Sequence, residues 1–174
     1  MKDRLTVPRL FLIGFMGAGK STVGRSLASR LGLPFYDLDT LIEERSGQTI
    51  QEIFAAAGES AFRRLETEIL RQIVSEGPGV IATGGGTFTL AENREIIQAN
   101  GVSIWLDGPT DHIIERGGLG EHRPLWQGEE KARELLERRL PAYRQADLRF
   151  DLRESTPEKA AEHLAELLRL GKRS

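Results

Sequence analysis

The sequence predicts an α/β protein, a three-layer sandwich around a central, mostly parallel five-stranded sheet. Two observations carry that expectation. Short apolar runs alternate along the chain with stretches of helical periodicity, the pattern of a parallel sheet covered on both faces. Gly14, Asp37 and Gly84 each stand at the end of one of the first three apolar runs, where open α/β sheets bind their ligands. Three segments remote in sequence are therefore expected to meet in one crevice.

The elements follow in order. Leu10-Phe11-Leu12-Ile13 is the first strand. A helix over residues 22–31 puts Val23, Leu27 and Leu31 on one face, with Ala28 beside them. Gly32 stops it and Pro34 follows. Phe35-Tyr36-Asp37 is a short second strand, and residues 41–45 are helical up to Gly47. Thr49 caps a short helix through residue 57, with Glu52 completing a capping box, and Gly58 stops it. A longer helix runs from about residue 60 to 76. Val80-Ile81-Ala82 is the third strand and residues 102–106 are the fourth, with a helix over 91–100 between them.

Residues 110–116 are helical, and 117–128 are glycine-rich and polar with no periodicity. Helix returns from 129 to about 146, interrupted at Pro141. Residues 148–152 form an edge strand. Ser155 and Pro157 open a last helix with Leu164, Leu167 and Leu168 on its buried face. No internal repeat, linker or composition break divides the chain, so residues 1–174 are read as one domain.

Composition narrows the function classes. Of 174 residues, 39% are hydrophobic and 29% charged, the balance of a soluble globular domain. The net charge of −2 gives no overall attraction to nucleic acid or acidic membrane. The absence of cysteine excludes disulfides, thiolate metal sites and thiol nucleophiles, and fits a reducing compartment. No apolar run approaches bilayer length and the opening residues do not form a secretory leader. The expectation is a cytoplasmic protein without nucleic-acid or membrane partners.

The strongest motif is Gly14-Phe15-Met16-Gly17-Ala18-Gly19-Lys20-Ser21, which fits the phosphate-binding loop G-x-x-x-x-G-K-[ST] between a strand and a helix. Its glycines permit positive φ, so backbone N–H groups turn inward as an anion nest at a helix N-terminus. Lys20 is placed for the β- and γ-phosphates of a nucleoside triphosphate, and the Ser21 hydroxyl for Mg²⁺. Gly17, Ala18, Gly19, Lys20, Ser21 and Thr22 are the candidate nucleotide-binding residues.

Asp37 and Asp39 stand next to that site. Such carboxylates hold a metal's water shell or accept a substrate hydroxyl; equally, an Asp there is a turn and helix N-cap. The third strand ends in threonine and glycines, which leaves Asp37 as the best support for Mg²⁺. Gly84-Gly85-Gly86 either offers bare N–H donors to a ligand or is a flexible loop. Arg63, Arg64, Arg138 and Arg139 are forks for carboxylate or phosphate, or solvated surface. Arg123 lies in the glycine-rich stretch, where a closing loop would exclude water and an arginine would neutralise charge developing in phosphoryl transfer. His112, His122 and His163 have no metal-ligand spacing.

Taken in order, the phosphate-binding loop with Thr22, Phe-Tyr-Asp-Leu-Asp (35–39), Phe62-Arg63-Arg64-Leu65-Glu66, Thr83-Gly84-Gly85-Gly86, Arg123-Pro124-Leu125 and Arg139-Leu140-Pro141-Ala142-Tyr143 make the chain resemble the shikimate kinases. These are small P-loop kinases with a fold like that of nucleoside monophosphate kinases. The resemblance implies ATP-dependent phosphorylation of the shikimate 3-hydroxyl, on the route to aromatic amino acids, by a monomer using Mg²⁺.

Carried over residue by residue, the resemblance makes Lys20, Asp39 and Arg123 catalytic, with Asp39 binding ring hydroxyls and accepting the proton. Arg63 and Arg139 hold the substrate carboxylate, with Glu66 orienting Arg63. Gly84, Gly85 and Gly86 bind shikimate through backbone N–H. Arg116 stacks near adenine, Arg123 reaches the phosphates, and Asp37 acts on Mg²⁺ through water, beside Ser21. Substrate-binding helices span about 39–76 and a mobile lid about 117–128. Departures from the family pattern are Leu38 between the aspartates, Ala142, Trp126 and the lack of a second adenine-side arginine near Ser155. The rival readings are another small-molecule kinase, such as a gluconate-like one, and a non-catalytic regulatory module; intact Lys20 and Asp39 speak against the latter.

Overall fold

Five strands, β1 (Arg9–Ile13), β2 (Phe35–Asp37), β3 (Gly79–Ala82), β4 (Val102–Asp107) and β5 (Leu148–Asp151), form one sheet in the order β2-β3-β1-β4-β5. Every pairing is parallel. The computed structural model describes residues 9–118, 125–153 and 155–170. Seven α-helices are described: α1 (Lys20–Leu31), α2 (Leu38–Ser46), α3 (Ile50–Glu76), α4 (Ala91–Asn100), α5 (Thr110–Gly118), α6 (Glu129–Tyr143) and α7 (Pro157–Leu170).

Strand alternation builds the three layers. Phe11, Ile13, Ile81 and Trp105 point to one face and pack against Ile69, Leu70 and Ile73 of α3, Ile97 of α4 and Leu136 of α6. Leu10, Leu12, Val80, Ile104 and Leu106 point to the other, against Leu27 of α1 and Leu164 of α7. Both faces are therefore dry, as expected for a parallel sheet.

Local signals hold closely. Thr49 and Glu52 form the expected capping box, with the Thr49 hydroxyl accepting from the Glu52 N–H at 3.1 Å and Glu52 accepting from the Thr49 N–H at 2.7 Å. Gly58 is the one non-helical residue inside α3, at φ 80°. Two expectations fail. Pro141 does not interrupt α6: it forgoes one bond, to the Glu137 carbonyl, and the burial of Ala142 and Tyr143 carries the helix on to Tyr143; residues 144 and 145 are a turn. Leu167 is 49% exposed. The buried stripe of α7 runs through Ala160, Ala161, Leu164 and Ala165 to Leu168, which leaves Leu167 on the solvent side.

The sheet order explains the site. β3 lies between β2 and β1, so the carboxyl ends of the first three strands in sequence are neighbours in space. The phosphate-binding loop, Asp37 and the glycine triplet leave the sheet together.

Candidate active site

The loop after β1 has the backbone its glycines predict. Gly14, Gly17 and Gly19 have φ of 153°, 82° and 87°. A Cβ at Gly14 would lie 2.9 Å from the Leu106 carbonyl oxygen, so space as well as conformation requires glycine there. Helix α1 starts at Lys20 with Gly19 as a left-handed N-cap and no capping side chain, so its first N–H groups face the cleft. Lys20 Nζ donates to the carbonyl oxygens of Gly14 (2.7 Å) and Phe15 (2.9 Å), which folds the ammonium over the loop. Gly17, Gly19, Lys20, Ser21 and Thr22 line the cleft. Ala18 is buried, and its N–H turns back to Phe15 O at 3.1 Å.

Asp37 is an N-cap and also bonds the phosphate-loop serine. Its Oδ1 caps α2 through the Thr40 N–H at 3.3 Å, and its Oδ2 accepts from the Ser21 hydroxyl at 2.5 Å. Asp39, in the first turn of α2, faces the same cleft. Burial pushes its carboxyl up to about 6, helped by the negative charges of Glu66 and Asp37 and opposed by Lys20 and Arg63. A carboxyl poised there is ionised at neutral pH yet basic enough to take a proton.

The glycine triplet is a matter of room. A Cβ at Gly84 would sit 3.0 Å from both Asp39 Oδ1 and Glu66 Oε1, and one at Gly85 would sit 2.9 Å from Arg139 Nη1. One at Gly86 would overlap the Arg63 guanidinium. Side chains from α2, α3 and α6 thus close directly onto bare backbone. None of the three glycines needs positive φ.

The two arginines are held differently. Arg63 pairs with Glu66 at 2.9 Å and with Glu59 at 3.3 Å. Arg139 is only 6% exposed, and its Nη1 is buried with no hydrogen-bond partner among the described residues. A buried, unsatisfied guanidinium nitrogen is costly, and a ligand carboxylate would satisfy it. Arg64 and Arg138, also raised by the sequence, do not line the cleft.

Behind Arg63 lies a buried polar chain that sequence reasoning missed beyond Glu66. The Thr87 hydroxyl donates to Glu66 at 2.6 Å, Asn93 Nδ2 donates to the Thr87 carbonyl at 3.0 Å, and the Thr67 hydroxyl donates to Asn93 Oδ1 at 2.8 Å. Thr67 looks like an ordinary polar residue inside a helix, and Thr87 and Asn93 like ordinary polar residues near helix ends, so no spacing marked them. Thr87→Val is expected to leave Glu66 one bond short and cost about 1–3 kcal/mol of stability, read from denaturant midpoints at an unchanged m-value.

The cleft has a volume of about 630 Å³ and also exposes Met16, Ile50, Phe54 and Phe62, an apolar wall opposite the charges. Arg116, near the end of α5, lines both this cleft and an adjoining pocket of about 340 Å³ bounded by Gly17, Gly108, Thr156 and Pro157. Leu125 lines the cleft, and Trp126 packs against the core. Arg123 and His122 lie outside the described residues. Among the described residues no three His, Cys, Asp or Glu gather as a metal cluster. His112 lines the smaller pocket, and His163 stacks edge-on against Phe150.

A family model described as shikimate kinase matches residues 16–169. The chain belongs to the shikimate kinase family. A shikimate kinase of Brucella canis is 41% identical over 160 residues, covering 90% of this chain and 80% of that protein. One from Rhizobium leguminosarum is 45% identical over 155 residues, covering 85% and 79%. The solved shikimate kinase of Acinetobacter baumannii in complex with shikimate superposes with a TM-score of 0.92 at 38% identity, covering 99% of each chain. A gluconokinase structure from Sinorhizobium meliloti, at 20% identity and a TM-score of 0.62, shares the fold alone. Of this shikimate kinase family member's departures from pattern, Leu38 is fully buried in the core and Ala142 is 9% exposed, so both serve packing.

Proposed function

We propose that this chain transfers the γ-phosphoryl group of ATP to the 3-hydroxyl of shikimate, giving shikimate 3-phosphate and ADP in aromatic amino acid biosynthesis. The observation that carries this is the unpartnered Arg139 Nη1, facing the glycine triplet across from Arg63 and beside Asp39. A hydroxylated ring acid needs a carboxylate fork, a hydroxyl acceptor and an apolar wall, and all three adjoin a phosphate-binding loop.

The residues divide the work. Arg63 and Arg139 hold the carboxylate, and backbone N–H groups of Gly84, Gly85 and Gly86 hold ring oxygens. Asp39 takes the proton of the 3-hydroxyl. The hydroxyl oxygen forms its bond to the γ-phosphorus as the bond to the β,γ-bridging oxygen breaks, and ADP leaves. Lys20 and the N–H groups at Gly17, Gly19, Ser21 and Thr22 stabilise the phosphate charge, while the Ala18 N–H, bonded to Phe15 O, holds the loop's shape. Arg116 and the pocket it shares with Pro157 take the adenine. The composition of residues 117–128 supports a lid role within a single domain, with Arg123 as its arginine.

Mg²⁺ suits this donor set. Ser21 and Asp37 are hard oxygen donors, already 2.5 Å apart, and a metal shared with ATP phosphates needs few protein ligands. When bound, it supplies charge neutralisation on the phosphates, and Asp37 would reach it through water. No helix among the described residues is long and apolar enough to cross a membrane. We read the protein as a cytoplasmic monomer acting on small molecules, which the net charge of −2 and the absence of cysteine fit.

Arg139→Ala is expected to weaken shikimate binding about tenfold to a hundredfold and raise KM alike, with kcat little changed, because the fork holds ground and transition states equally. Equilibrium titration of shikimate into wild type and variant checks it. Failure of the wild-type protein to bind shikimate would remove the proposal.

A further inference from the structure

Tyr143 is fully buried and lies one helical turn beyond Arg139 on α6. Its hydroxyl donates to the Gly85 carbonyl at 2.6 Å. The Arg139 guanidinium acts electrostatically on the same oxygen, and its Nη1 lies 2.9 Å from where a Gly85 Cβ would stand. One phenol therefore joins the two parts of the acceptor site that come from different layers, the helix carrying the carboxylate fork and the loop after β3. Its ring is fixed independently, tilted against Trp105 with centroids 6.0 Å apart.

We propose that Tyr143 is a positioning residue for the acceptor substrate, aiming both the Arg139 fork and the glycine-loop donors. This rests on the shikimate kinase function proposed above.

Two geometric consequences follow from the one hydroxyl. First, the partial negative charge of its oxygen attracts the guanidinium and biases how the fork is turned, while Nη1 has no partner among the described residues and is left for a ligand. The remaining neighbours of that guanidinium give no direction: the Phe15 ring, 5.6 Å from its central carbon, and the open Cβ position of Gly85. Second, its O–H holds the Gly85 carbonyl. In a trans peptide the C=O and the next N–H point to opposite sides, so fixing that carbonyl also fixes the direction of the Gly86 N–H. Glycines resist no such rotation by themselves. Burial pushes the phenol up to about 12, so the group stays a neutral O–H that donates and accepts at once through the working pH range.

Tyr143→Phe keeps the ring and removes only the oxygen. The expected result is a rise of about tenfold in KM for shikimate, with KM for ATP and kcat within about twofold of wild type. In an Arg139→Ala background the same change should raise KM by less than it does in wild type, because only the glycine-loop donors are left to aim. Calorimetric titration of shikimate into the folded fraction, set by circular dichroism, gives the same comparison if the variant is less stable. A merely structural tyrosine would lower the active fraction and leave the KM of the remainder unchanged. That result, or equal change in both substrates' KM values, overturns the proposal. Wild-type protein that does not turn over shikimate would instead overturn the function on which it rests.

Discussion

Lys20→Ala is expected to lower kcat about a thousandfold while shikimate affinity changes less than about threefold. The separation follows from geometry. Lys20 leaves the first turn of α1 and rests over the loop, bonded to the Gly14 and Phe15 carbonyls. The ammonium is therefore held on the donor side by backbone that is fixed at β1. Arg63 and Arg139, the proposed acceptor-side residues, come from other helices. Removing the lysine strips charge stabilisation from the transferring phosphoryl group and leaves the acceptor pocket intact. Steady-state kinetics on the variant, with equilibrium titration of shikimate, measures both effects on one preparation.

Asp39→Asn should lower kcat about a hundredfold to ten-thousandfold, the usual contribution of a positioned general base. Asparagine keeps the shape and a hydrogen-bond acceptor but takes no proton. The pH dependence gives the sharper signature. The Asp39 carboxyl is raised to about 6 by burial and by Glu66 and Asp37. Its acceptor form is the ionised one, populated above that value. Activity should therefore be level above it and fall tenfold for each unit of pH below it, seen in kcat/KM for shikimate at saturating ATP. The limb should vanish from the residual activity of Asp39→Asn. An unchanged acid limb in that variant would assign the titration to another group.

What the sequence revealed and what it hid have different physical origins. The phosphate-binding loop was legible because its function is carried by local backbone: φ at Gly17 and Gly19, and a helix that starts at Lys20. The capping box at Thr49 and the break at Gly58 were legible for the same reason. The sheet followed from alternation of apolar runs. Asp37 was ambiguous between cap and ligand because capping takes only one of its oxygens and leaves the other for Ser21.

Glycine crowding and the buried relay were not legible. Gly84, Gly85 and Gly86 are explained by side chains arriving from three helices, which no local pattern encodes. Thr87, Asn93 and Tyr143 matter through partners 6 to 58 residues away in sequence. Pro141 misled because the burial of Ala142 and Tyr143 carries the helix past the one bond the proline removes. Leu167 misled because periodicity locates a stripe but not its edge.

The central claim is that the cleft between the phosphate-binding loop and the Arg63–Arg139 pair joins ATP to shikimate. A coupled assay of ADP release with ATP and Mg²⁺, in the presence and absence of shikimate, tests it most directly. ADP release should depend on shikimate, saturate with it and yield one shikimate 3-phosphate per ADP. ADP release indifferent to shikimate, or turnover with gluconate and none with shikimate, would contradict it.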